Sequence, residues 1–202
     1  MFSGALLLVG EWEATVKLLD KMYGRADEAA DRAIRDEAVL FLRAVQLAFR
    51  KGGVNGQWRE LGPIARALRR GTKPLMDQGD LWRSVNLQKV GDGEYFVGVS
   101  RTAAARARKG SPLINVAEVH ETGAKVIPVT DKMRRYFRAL YWKKIIPYPW
   151  PPASARYIRI PRRSFLADTF EKHAPGYMER LLTRYGYYLI GEGSLGTQAK
   201  VL

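Results

Sequence analysis

The stretch from about Asp27 to Lys51 constrains the fold more than any other, because it repeats apolar residues at helical spacing for about seven turns. Ile34, Ala38, Phe41, Val45 and Ala48 follow at intervals of four and three, which places them on one face of an α-helix. Arg32, Asp36, Arg43 and Arg50 fall where water can reach them. An apolar face of that length has to be covered by other elements, so it fixes the position of a core. Gly52-Gly53 follows at once, and glycine ends helices by entering the left-handed conformation at no steric cost.

Before this helix, residues 10–23 can form a short one with Trp12, Val16 and Leu19 on one side. After it, Val54–Trp58 reads as a loop and Leu61–Arg70 as a short helix ending at Gly71. The period then changes. Ser84–Val90 and Tyr95–Ser100 are β-forming runs separated by Gly91-Asp92-Gly93, the pattern of a hairpin. Asp77 is expected to cap a short helix that runs through Trp82. Arg101–Lys109 lacks an apolar stripe and reads as an exposed loop or short helix. Leu113–Glu121 should be helical, turning Val116 and Val119 or His120 inward, and Thr130–Lys144 should follow, with Met133, Phe137, Leu140 and Tyr141 as its inner face. Tyr148–Pro152 cannot be helix interior, because proline lacks the amide hydrogen. Residues 156–160 alternate like a strand, Ser164–His173 can open on a Ser164 cap, and Tyr177–Ile190 forms a last helix. The expected class is α+β: N-terminal helices, a small antiparallel sheet with a β-hairpin, a basic helical insertion over 124–156, and C-terminal helices, in one domain spanning 1–202. Residues 1–10 read as an N-terminal arm and 191–202 as an extended tail.

Charge narrows the partners. The chain carries 34 basic and 20 acidic residues, and the excess is local. Residues 101–163 hold 15 of the basic groups and three acids, Glu118, Glu121 and Asp131. Such a surface attracts polyanions or an acidic protein face. Arg106, Arg108, Lys109, Arg134, Arg135, Lys143 and Lys144, interleaved with Tyr136, Tyr141 and Trp142, are the candidate contacts for DNA or a partner, combining phosphate pairing with base stacking. No sequence-specific DNA-binding motif is legible among them.

Catalytic equipment is sparse. There is no cysteine, which excludes disulfides, thiolate nucleophiles and Cys-based zinc sites. There are two histidines, His120 and His173. His120-Glu121 lacks the second histidine four positions on that a metalloprotease helix needs, since Ala124 stands there. His120 is therefore expected to be a satisfied, partly buried residue at a helix end, with Glu118 and Glu121 as its only candidate hydrolytic partners. Gly191, Gly193 and Gly196 match a dinucleotide fingerprint in spacing but have no strand before them and no helix after. No cofactor, metal site or enzymatic activity is expected. The apolar run at residues 1–10 lacks the basic start of a signal peptide and is too short to span a bilayer.

Three local patterns, in order, resemble the phage virion morphogenesis (tail completion) family, which includes Mu-type and lambda-like tail proteins. The first runs from Pro74 to Val85, with Leu75, Gly79, Leu81, Ser84 and Val85 at its marked positions. The second is Ala117-Glu-Val-His120-Glu-Thr-Gly123, and the third is Ile160-Pro161-Arg-Arg163-Ser-Phe165-Leu166. The sequence departs from the family pattern at Gln78, where a hydroxyl residue is usual, and at Ser164, where proline is usual. The resemblance implies structural work and carries over no catalytic residue. Gly79 would permit a backbone turn, Leu81 and Val85 would anchor a helix-to-strand step, and Gly123 would end a helix in the left-handed conformation. Pro161 would halt a strand, Arg163 would pair with a carboxylate, and Phe165 with Leu166 would seal a helix onto the sheet.

By the same resemblance the function is that of a virion protein, made in the host cytoplasm, acting in tail completion or head–tail joining at the neck. It implies a ring of copies, expected to be hexameric, closed by head-to-tail interfaces. Tail-terminator or tail-tube proteins and head-completion or connector proteins would be its partners, with non-specific contact to phage DNA and none to membrane. Residues 1–10, 124–156 and 191–202 are the segments expected to extend onto a neighbour. The alternative is a DNA-binding accessory protein using the 101–163 surface.

Overall fold

The computed structural model describes residues 12–69, 71, 73–100, 112–123 and 126–190. They form an α+β fold of eight helices and two antiparallel two-stranded sheets among the described residues. In chain order these are α1 (Trp12–Tyr23), α2 (Ala26–Lys51), α3 (Pro63–Leu68), α4 (Asp80–Ser84), β1 (Val85–Gly91) and β2 (Glu94–Val99). There follow α5 (Leu113–Thr122), β3 (Val126–Pro128), α6 (Asp131–Trp142), β4 (Tyr157–Arg159), α7 (Ala167–His173) and α8 (Tyr177–Ile190). The expected arms at 1–10 and 191–202, and the 101–109 segment with Arg106, Arg108 and Lys109, lie outside the described residues. No helix among the described residues is long and apolar enough to cross a membrane.

Contacts group the chain into two compact units, one of Met1–Glu37, Lys89–Tyr95 and Gly176–Leu202, the other of Ala38–Gln88 and Phe96–Pro175. The first is organised by acids on α2. The Asp31 carboxylate accepts from the Gly93 amide at 3.3 Å and the Tyr95 hydroxyl at 2.9 Å, and pairs with Lys89 at 2.9 Å. These three bonds tie the helix to the hairpin tip and hold Asp31 below its ordinary carboxylate range, the Lys89 bond being the main cause. Further along the helix, Glu37 is buried and meets Arg184 at 2.7 Å and Arg180 at 3.2 Å, while Asp36 accepts from the Tyr188 hydroxyl at 2.6 Å. Two adjacent acids of α2 thus bind α8, one by an ion pair and one by a hydrogen bond.

The second unit holds a core on the later turns of α2, where Val45 and Ala48 of the expected face are buried and Ala38 and Phe41 half-buried. Val45 and Phe49 are buried there with Trp58, Leu75, Leu81, Val85, Val99, Leu113, Ala117 and Phe165. Phe49 packs at 4.7 Å, tilted by 46°, against Phe165 and at 5.8 Å, edge-on, against Trp58, whose indole N–H donates to the Ser164 carbonyl at 3.1 Å. Aromatic rings of this size contribute about 1.5–3 kcal/mol each on full burial, provided that the indole N–H finds an acceptor. Gly52 (φ 78°) and Gly53 (φ 111°) end α2 as expected, and the Gly53 amide reaches back to the Ala48 carbonyl at 2.8 Å.

Several local expectations are corrected. The helix read over Leu61–Arg70 is shorter, because Pro63 starts it and Arg69 is already extended. Asp77 does not cap α4. Gly79, at φ 77°, forms that N-cap, and the Asp77 carboxylate accepts from the Gly71 amide at 3.3 Å. On α5 the buried residues are Leu113, Ala117 and His120, with Val116 and Val119 half-buried. Tyr141 of α6 is exposed, so the inner face is Met133, Phe137 and Leu140. The strand read at 156–160 pairs with β3, which the sequence did not announce, in the register Val126↔Arg159, Ile127↔Ile158 and Pro128↔Tyr157. Residues 126–156 are therefore no extended arm. They fold on their own base, with Phe137 edge-on to Trp150 at 4.6 Å and Arg134 donating to the Pro152 and Ala155 carbonyls at 3.0 and 2.6 Å.

Candidate anion-binding cleft

The second and third sequence patterns meet in space. The segment after β4 lies along the end of α5, and the Arg163 amide donates to the His120 carbonyl at 2.8 Å. Gly123 closes α5 at φ 63°, and its amide donates to the Val119 carbonyl. A β-carbon there would come within 2.7 Å of the Arg162 α-carbon and 2.8 Å of its nitrogen, so glycine is needed for both conformation and approach.

Glu121 joins the two patterns. Its carboxylate accepts from the Ser164 hydroxyl at 2.7 Å and from the amides of Phe165, Leu166 and Ala167 at 2.8, 2.7 and 3.4 Å. Those amides lead into α7, so a side chain distant in sequence supplies the acceptor that a helix start lacks. Ser164, expected as the cap itself, is part of the arrangement, and its oxygen accepts from the Asp168 amide at 3.1 Å. Nothing local marks Glu121 for this work, because its partners follow more than forty positions later.

Beside this junction a cleft of about 580 Å³ opens. Among the described residues its polar lining is Arg59, Arg69, Arg159, Arg163 and His120, with a single acid, Glu60, which is held by Arg66. Its apolar lining includes Leu61, Ile64, Leu68, Pro161, Phe137, Tyr148 and Trp150. Arg163 pairs with no carboxylate among the described residues, contrary to expectation. It is 7% exposed, one terminal N–H donates to the Arg59 carbonyl at 3.3 Å, and its Nε has no hydrogen-bond partner among the described residues. Burial, with Arg69 and Arg59 close by, pushes its pKa down.

His120 is likewise more buried than expected, at 7% exposed, and is not satisfied, since Nδ1 lacks a partner among the described residues. Burial first, then the positive charges of Arg163 and Arg69, lowers its pKa to about 4. The imidazole is therefore neutral at pH 7, and its single N–H can stand on Nδ1, the nitrogen without a partner among the described residues. Its proposed hydrolytic partners are elsewhere engaged or exposed: Glu121 binds the start of α7, and Glu118 faces solvent. His173 packs against Phe41 at 5.7 Å and lines a different pocket. No cluster of three or more His, Asp or Glu suited to a metal exists among the described residues. What the cleft can do chemically is receive negative charge.

The remaining marked residues serve the fold. Leu75, Leu81, Val85, Ala117 and Phe165 are in the core with Leu166 packed against it, and Ser84 donates to the Leu81 carbonyl at 2.7 Å. Of the basic contact candidates, Arg134 spends its guanidinium on backbone carbonyls, whereas Arg135, Lys143 and Lys144 are exposed. The cleft arginines 59, 69 and 159 escaped the sequence reading because they come from separate segments. No protein-family model, no curated protein and no solved structure matches this chain.

Proposed function

We propose that the chain is a structural subunit of a tailed-phage particle, acting in tail completion or head–tail joining by assembling into a ring with copies of itself, and that it is not an enzyme. The observation that carries this reading is the surface of α1. Trp12, Val16, Leu19 and Tyr23 recur at helical spacing, are 48%, 52%, 58% and 88% exposed, and no residue of that helix is buried. A second exposed apolar pair, Met178 and Leu182, stands one turn apart on α8. Two different apolar stripes on one protomer suit a head-to-tail interface, the kind that closes into a ring. The three motifs of the family resemblance supply the phage context. In gradient-purified tailed particles, quantitative mass spectrometry should find the chain at a fixed ratio to tail-tube protein. Its absence from finished particles would overturn the reading.

A second reading, as a DNA-binding accessory protein, is favoured by α6. Trp142 is 75% and Tyr136 57% exposed on a helix whose outer residues include Lys132, Arg135 and Arg138. Exposed rings among cations suit stacking on bases with phosphate pairing. This reading expects duplex affinity to fall steeply with salt and to weaken in Trp142→Ala and Arg135→Gln variants.

A further inference from the structure

We infer that the arginine-lined cleft is a docking site for an acidic segment of a partner protein, taking an Asp or Glu carboxylate onto Arg163 and His120 and the neighbouring apolar side chain onto the aromatic wall. This deepens the assembly reading by naming the partner's chemistry, and rests on it for the partner being a protein.

Two buried polar atoms point to a ligand. Arg163 and His120 are each more than nine-tenths buried, and Arg163 Nε and His120 Nδ1 have no hydrogen-bond partner among the described residues. Leaving a buried polar group unpaired costs free energy, more when it is charged, so native proteins keep few of them. Charge says which ligand. Arg59, Arg69 and Arg159 line the same space, and the only acid there among the described residues is already held by Arg66. With Arg69 and Arg59 as its charged neighbours, Arg163 has no counter-ion among the described residues, and an incoming carboxylate supplies one through a charge-assisted bond.

Shape says what carries the anion. A duplex phosphate lies on a convex backbone between sugars and is poorly shaped to reach a guanidinium that is 7% exposed. A carboxylate stands at the end of a short methylene stem, and the stem and its neighbours find Ile64 and Trp150 on the walls. A cleft of about 580 Å³ has the size of ordinary small-ligand pockets and admits one or two side chains.

The test uses the full chain and two blocked hexapeptides, one alternating Glu with Phe and Leu, the other with Gln in place of Glu, titrated by calorimetry. The acidic peptide is expected to bind, with the Gln version weaker by about tenfold, the loss of a charge-assisted hydrogen bond. Arg59→Gln and Arg159→Gln, both on exposed residues, should each weaken the acidic peptide several-fold at an unchanged unfolding midpoint. Arg163→Lys, which keeps the charge but loses the planar fork, should abolish the preference for acid. Equal binding of both peptides, or no binding of either, overturns the inference. So does binding of a mononucleotide or short single-stranded DNA that the acidic peptide fails to displace. Light scattering on the same samples separates this from the assembly reading. A monomer that binds the acidic peptide sinks the ring and leaves the cleft, and a ring indifferent to the peptide does the reverse.

Discussion

The Glu121 carboxylate accepts the Phe165 amide at 2.8 Å, and so fastens the end of α5 to the entry of α7. The same carboxylate takes the Leu166 amide and the Ser164 hydroxyl, both at 2.7 Å, while the Phe165 ring is fully buried against Phe49. Glu121→Ala leaves those groups without an acceptor, and hydrogen bonds to a charged group contribute about 1.5–3 kcal/mol. We expect Glu121→Ala to lower unfolding free energy by about 3 kcal/mol, and Glu121→Gln, which keeps one acceptor oxygen, by about half that. Urea denaturation reads both. Wild-type stability in Glu121→Ala would mean that water replaces the carboxylate without loss.

Gly123 and Gly52 separate two reasons for glycine. Both have positive φ, 63° and 78°, but a β-carbon at Gly123 would strike the Arg162 backbone, whereas nothing lies within 4 Å of one at Gly52. Gly52→Ala should therefore cost about 1 kcal/mol, the conformational term alone, and Gly123→Ala at least about 2 kcal/mol more as the chain at Arg162 moves. Equal midpoints for the two variants would show that the Arg162 segment yields freely.

How far these relationships are legible in the sequence depends on their range. The α2 repeat and its Gly52-Gly53 stop, the hairpin about Asp92, and α8 over Tyr177–Ile190 are encoded by near neighbours, and periodicity reads them. The β3–β4 pair is three residues on each side, with its partner strand some thirty positions away, so no local pattern announces it. Glu121 looks like any exposed helical acid until the 164–167 amides are brought to it. The cleft is further out of reach, because Arg59, Arg69, Arg159 and Arg163 converge from separate segments. The family resemblance implies a carboxylate for Arg163, and its lack of one among the described residues is what distinguishes the cleft.

His120 makes stability depend on pH in a defined window. Its pKa in the fold is about 4, against 6.5 for an ordinary imidazole, through burial and the charges of Arg163 and Arg69. Below pH 6.5 the unfolded chain takes up a proton that the folded chain refuses, so stability falls as pH drops from about 6.5 to about 4. The full effect is about 3 kcal/mol. The Asp31 contribution is lost only at lower pH, below its ordinary value of 3.8. Denaturant midpoints between pH 7 and 4 should fall more steeply in the wild type than in His120→Gln. Parallel curves would show that the imidazole charges freely in place.

Glu37 is 1% exposed and faces both Arg180 and Arg184. Removing one partner of a buried pair leaves the other charge desolvated, a loss of about 3–5 kcal/mol in fully buried cases. Both arginines retain some solvent contact, at 34% and 28% side-chain exposure, so we expect about 3 kcal/mol for Glu37→Ala. Protection of α8 amides from hydrogen exchange should fall with it, and unchanged protection would mean that α8 does not depend on Glu37.

Assembly is tested most directly by native mass. Sedimentation velocity on the full chain at micromolar concentration should give one sharp species at a small-integer multiple of 22.8 kDa, six being the expected number. Val16→Glu with Leu19→Glu, on the exposed stripe of α1, should return it to the monomer with an unchanged unfolding midpoint. A wild-type chain that sediments at 22.8 kDa at every concentration would contradict the proposal.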